Sequence, residues 1–294
     1  MRTLAFPLAA TMCLVLAGAL PLSMFAQDGD VTVVEDLVFA TDREGAGAES
    51  LLDLYLGAGG EDAPMVVFID GHGLSRKART VLPSALAEQG LNVAVVDGHP
   101  GLGTPEASLA EGGGGLRELV ETVACAVRYA RGSEYGSETA PLVLSGYSYG
   151  GGSGSHVALA GEDFASLWEE FSESGGPPSR VACTTEGSTR VDGLVGIGGT
   201  YDIFLGQEGR FSDQLWQEEA PALRELFQGT VGLHPELKVR LLAGDSDWLP
   251  IEIPAGLEAV LAPAGNDVKL IQFEGGHVVP HDLAVEQIME LVAS

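Results

Sequence analysis

The stretch Pro141-Leu-Val-Leu-Ser-Gly-Tyr-Ser-Tyr-Gly-Gly151 restricts the possible folds more than any other part of the chain. Pro141 to Leu144 read as a short buried strand, the glycines around Ser148 end it abruptly, and a helix-compatible run continues to Leu159. A chain can turn this tightly from strand to helix only where backbone meets backbone without β-carbons between them. Gly146-Tyr147-Ser148-Tyr149-Gly150 therefore fits G-x-S-x-G in its strand–turn–helix setting, which strains the serine and leaves its hydroxyl exposed at a helix N-terminus. With 41 glycines in the chain, the five residues alone read equally well as a Gly/Ser loop. What decides between the two lies at the ends of the other strands.

Residues 31–40 and 50–56 read as an opening antiparallel hairpin, joined by a turn around Gly45 and Gly47. From there the pattern is regular: strand 65–69, helix 75–89, strand 92–96, helix 115–131, strand 141–145, helix 148–160, strand 191–197, helices within 211–228, strand 238–243, helix 252–264, strand 268–273 and helix 281–292. Short apolar runs alternating with amphipathic helices specify a mainly parallel sheet covered on both faces. The expected fold class is α/β, with an eight-stranded, mostly parallel sheet in one domain over residues 27–294. In such a sheet ligands bind beyond the carboxyl ends of the strands.

At those ends the chemically active residues collect. Asp70-Gly71-His72-Gly73 follows the third strand, Asp97-Gly98-His99 the fourth, Ser148 the fifth, Gly244-Asp245-Ser246-Asp247 a later one, and Gly275-Gly276-His277 the last. A serine, an acid and a histidine in that chain order, each beyond a strand, resemble the α/β-hydrolase family over essentially the whole mature chain. The Tyr-Gly-Gly after Ser148 is similar to the dienelactone-hydrolase and prolyl-oligopeptidase branches, although no propeller domain is present. The resemblance implies the fold and a Ser-His-Asp triad. Ser148 would be the nucleophile, His277 the base and Asp247 the acid that orients it, with the backbone N–H groups of His72 and Tyr149 as the oxyanion hole. Asp245 competes with Asp247, and His281 with His277. His156 and His234 read as structural.

Two departures stand out. Aspartate occupies position 70 where the family's loop usually carries histidine, and Asp-Gly-His occurs twice, at 70–72 and 97–99. Asp70, His99 and Tyr147 are candidates for substrate contact. The paired loops fit either a hydrogen-bonded network or, with four oxygen and nitrogen donors, a divalent metal. The expected reaction needs neither a metal nor an organic cofactor, since no phosphate-binding glycine fingerprint follows the first strand.

The first 26 residues, a lone Arg2 and then an apolar run broken by Pro7, Gly18 and Pro21, have the layout of a cleaved secretory signal, so a secreted or periplasmic protein is expected. Net charge is −27, which disfavours nucleic acid, anionic membranes and strongly anionic substrates. On the helix at 116–130 the apolar stripe is Leu116, Val120, Val123 and Val127, and Cys125 falls on the opposite, outward side. A lone exposed thiol is unusual in a secreted protein, so a Cys125–Cys183 disulfide is expected, with two unpaired cysteines as the alternative. Residues 161–190 form an insertion whose Phe164, Leu167, Trp168 and Phe171 share a helical face, placed either over the site or against the neighbouring helix. The reading that unites these features is a secreted serine esterase acting on small ester substrates. A peptidase of the same fold and a non-catalytic binding protein are the alternatives. Oligomeric state has no sequence signature.

Overall fold

The computed structural model describes residues 31–43, 49–72, 74–98, 115–176, 179–202 and 220–294. The expected signal segment and His99 lie outside them. Among the described residues nine strands form one sheet: β1 (Thr32–Asp42), β2 (Glu49–Leu56), β3 (Met65–Ile69), β4 (Asn92–Val96), β5 (Leu142–Tyr147), β6 (Val181–Cys183), β7 (Gly193–Ile197), β8 (Lys238–Gly244) and β9 (Asp267–Phe273). Their spatial order is β6-β1-β2-β4-β3-β5-β7-β8-β9. The six strands from β4 to β9 in that order are mutually parallel. The edge formed by β6, β1 and β2 is antiparallel.

The parallel strands are buried on both faces, which is why their sequences are apolar runs rather than alternations. Residue parity then sorts the side chains. Val67, Ala94 and Leu144 pack on one face with helices α2 (Gly115–Gly132), α3 (Tyr149–Ala160), α4 (Phe164–Glu173), α5 (Ala220–Gly229) and α6 (Glu252–Leu261). Val66, Phe68, Val93 and Val143 pack on the other face with α1 (Val81–Glu88) and α7 (His281–Val292). Among the described residues no helix is long and apolar enough to cross a membrane.

The structure differs from the sequence expectation in three places. The sheet has nine strands instead of eight, because the insertion contributes β6, which pairs antiparallel with β1 through Ala40 and Cys183. Cys125 does not face outward: it is 1% exposed and belongs to the core, because β6 extends the sheet beneath the side of α2 that the apolar stripe leaves over. The helix expected over 75–89 is a single 3-10 turn, Arg76–Ala78, followed by α1 after a break at Arg79 and Thr80. That break has a charge-driven cause. Buried Arg76 is held by Asp36, Asp53 and Asp97, drawn from the opening hairpin and the end of β4, so the turn is fixed toward the carboxylates rather than along a helix axis.

The Cys125–Cys183 disulfide is present and ties α2 to β6. In α4, Phe164 and Trp168 are buried against the body of the domain, so the insertion packs on the neighbouring helix and does not roof the strand ends.

Candidate active site

Ser148 sits between β5 and α3 with φ 53° and ψ −114°, a conformation that costs a non-glycine residue about 1–3 kcal/mol. The surroundings enforce it. Its N–H donates to Ile197 O at 2.7 Å, and its carbonyl accepts from Gly151 N at 3.0 Å, fixing the peptide planes on both sides. The motif glycines are steric requirements: a β-carbon on Gly146 would lie 2.3 Å from Gly150 O, and one on Gly150 would lie 2.4 Å from Ile69 O. The second contact wedges the start of α3 against the end of β3, so the serine and the loop after β3 hold a fixed relation.

From the neighbouring strand ends, Asp247 and His277 meet. His277 Nδ1 lies 2.9 Å from both carboxylate oxygens of Asp247. An ionised carboxylate only accepts, so Nδ1 carries the proton and Nε2 presents its lone pair. Nε2 is buried and has no hydrogen-bond partner among the described residues. Asp247 is itself anchored, accepting from Leu249 N at 3.0 Å, and its side chain is 3% exposed. The competing Asp245 is turned elsewhere: it accepts from Gly275 N at 3.1 Å and so braces the histidine loop without touching the ring. His281 opens α7 in solvent.

Ser148 and His277 line one pocket of about 330 Å³, together with Gly71, His72, Leu74, Tyr147, Tyr149 and Trp248. Tyr149 is the first residue of α3, so its N–H belongs to the helix's N-terminal turn, where the backbone dipoles favour negative charge. His72 is exposed on the loop after β3, with its ring edge-on to Tyr149 at 5.6 Å. The two backbone groups expected to hold an oxyanion thus border the same pocket as the serine.

Of the residues named for substrate contact, Tyr147 lines the pocket, its ring 5.0 Å from that of His277. Asp70 does not reach it. Fully buried beneath Gly71, Asp70 accepts from Gly71 N at 2.8 Å and pairs with Arg79 Nε at 3.2 Å, while burial raises its pKa. The Arg79 guanidinium in turn lies 4.4 Å from the centre of the Tyr147 ring. The aspartate that replaces the family's histidine therefore supports the pocket wall from behind. Asp97 is likewise engaged by Arg76, accepting from both its backbone N–H and its guanidinium. Among the described residues no group of three acids, histidines or cysteines could hold a metal ion.

Leu74 and Trp248 are the pocket residues that the sequence did not single out, and Trp248 is the larger and more exposed. It is 59% exposed and its ring stands 5.0 Å from that of His277. Its position immediately after Asp247 was the only available signal. The other histidines are structural: His234 Nδ1 bonds Ala158 O at 3.0 Å, and His156 is enclosed by Phe164, Trp168 and Phe227, with burial pushing its pKa down to about 3.

No protein-family model matches the chain, and no curated protein matches its sequence. Solved structures do. A bifunctional GH43-CE protein of Bacteroides eggerthii aligns with 89% of this chain at 18% identity and a TM-score of 0.62; the chain spans only 38% of that protein. Esterase B of Lactobacillus rhamnosis, in complex with an inhibitor, aligns over 90% of this chain and 87% of its own at 18% identity, with a TM-score of 0.63. Dienelactone hydrolase of Anabaena variabilis covers 89% of this chain and 97% of its own at 17% identity, with a TM-score of 0.54. At such identities the likeness speaks for architecture, and together with the strand order above it establishes that this chain has the α/β-hydrolase fold.

Proposed function

We propose that this protein is a serine hydrolase that cleaves carboxylic esters through an acyl-enzyme. The observation that carries the reading is the Asp247–His277 pair, its Nδ1 side satisfied by carboxylate, its Nε2 side left without a partner among the described residues, and its ring lining the same pocket as Ser148. In the proposed cycle His277 Nε2 takes the Ser148 proton as Oγ attacks the ester carbonyl carbon. The resulting oxyanion is held by the N–H groups of Tyr149 and His72, each worth on the order of 10²–10³ in turnover. His277 then delivers the proton to the departing alkoxide, and water, activated by the same imidazole, releases the acid and restores the serine. Asp247 holds the tautomer and stabilises the imidazolium without becoming protonated.

The pocket of about 330 Å³ suits small esters, in keeping with the esterases among the structural relatives. The disulfide fits an oxidising compartment and so supports export.

The test is mass spectrometry after reaction with a fluorophosphonate, alongside hydrolysis of p-nitrophenyl acetate. Ser148 should carry the adduct, and Ser148→Ala should abolish both labelling and turnover. An adduct on another residue, or an undiminished esterase rate in the variant, would overturn the assignment.

A further inference from the structure

We infer that Trp248 forms a leaving-group subsite that selects esters of apolar, preferentially aromatic, alcohols. The inference rests on the triad reading above and deepens it.

The observation is a large aromatic side chain held in solvent by a rigid turn. Asp247 N donates to Gly244 O at 3.3 Å and Leu249 N to Asp247 Oδ1 at 3.0 Å, while Leu249 itself is buried. The backbone is thus pinned on both sides of Trp248, before it by the Gly244 carbonyl and after it by the same carboxylate that orients His277. The indole, 59% exposed, stands at 50° to the imidazole with ring centres 5.0 Å apart, and it borders the pocket. Tyr147 stands at the same separation and angle from that imidazole, so the histidine contacts two aromatic rings, one buried and one exposed. At the rim of a pocket that holds the serine and the histidine, an exposed indole offers a ligand an apolar face to cover.

Chemistry decides which part of an ester covers it. His277 must hand its proton to the departing alkoxide, so the alcohol half has to lie against the imidazole. Trp248, its ring beside that imidazole and lining the same pocket as Ser148, therefore meets the alcohol. An aromatic alcohol adds ring-on-ring contact to apolar burial.

The experiment compares benzyl butyrate with methyl butyrate, which give the same acyl-enzyme and differ only in the alcohol. In Trp248→Ala the benzyl-to-methyl ratio of kcat/KM should fall about tenfold, and Trp248→Phe should restore most of it. A second series holds the alcohol as methyl and lengthens the acyl group from acetate to hexanoate. A ratio unchanged in Trp248→Ala overturns the inference, as does a loss of selectivity that follows acyl length instead of the alcohol. Fluorophosphonate labelling separates the two levels of failure. If Ser148 of the wild-type protein does not label, the triad reading has failed; if Ser148 labels in both proteins and the ratio stays constant, the subsite alone has failed.

Discussion

Two histidines flank the serine turn, and only one has the setting that the proposed base requires. His156 lies on α3, stacked on Phe227 at 3.9 Å and edge-on to Trp168 at 5.6 Å, with neither ring nitrogen bonded among the described residues. Burial drives it neutral, its pKa pushed down to about 3. His277 lies beyond a strand end, with a carboxylate on Nδ1 and two aromatic rings beside it, its side chain 15% exposed. Enclosure alone makes an imidazole inert. A base needs an acid partner on one nitrogen and an open path to the other.

The sharpest way to break the comparison is to remove that partner. Asp247→Asn should leave the fold intact but lower kcat about ten-thousand-fold, because the amide no longer fixes the tautomer or offsets the imidazolium charge. His156→Phe should leave kcat/KM for p-nitrophenyl acetate within about twofold of wild type. A large loss there would mean that the aromatic enclosure shapes the site.

The next effect is on stability and should spare the chemistry. Replacing both Cys125 and Cys183 by serine opens a loop of 58 residues and should cost about 4 kcal/mol, read as a lower midpoint in urea. The bond anchors the side of the molecule that holds His156, so activity per folded molecule should persist. Parallel loss of activity at low denaturant would show that the two regions are coupled.

The smallest effect sharpens the contrast through pH. His156 is neutral when folded, whereas the unfolded chain takes up a proton below about pH 6.5. Between pH 6.5 and about 3 the unfolded state thus binds more protons, and this group makes stability rise with pH across that window. His156→Phe removes the term. Relative to wild type, the variant should gain about 1.4 kcal/mol on going from pH 8 to pH 5.5, measured as the change in the difference between their urea unfolding free energies. An unchanged difference would mean that the ring is hydrated or charged in the folded protein.

Much of this arrangement was legible in the sequence, because the parallel core declares itself through apolar runs and because reactive residues gather where those runs end. Ser148, Asp247 and His277 each directly follow such a run, and the glycines around Ser148 follow from sterics alone. What stayed hidden depends on partners distant in the chain. Cys125 looked outward because the helical stripe of α2 carries no trace of a strand that arrives later to cover its other side. Asp70 looked available for substrate because nothing nearby in sequence announces Arg79 as its partner. A lone tryptophan in a loop reads as readily as packing, so only its exposure beside His277 sets Trp248 apart.

The short strand β6 has a consequence for how the chain is completed. Ala40, near the beginning, finds its outer neighbour in Cys183, long after the intervening elements have been made. Until that segment emerges, the first strand presents a bare hydrogen-bonding edge, open to pairing with another unfinished molecule. Closing the sulfur link in its proper place therefore records that this border has been sealed, and a chain cut short before residue 181 would remain adhesive along it.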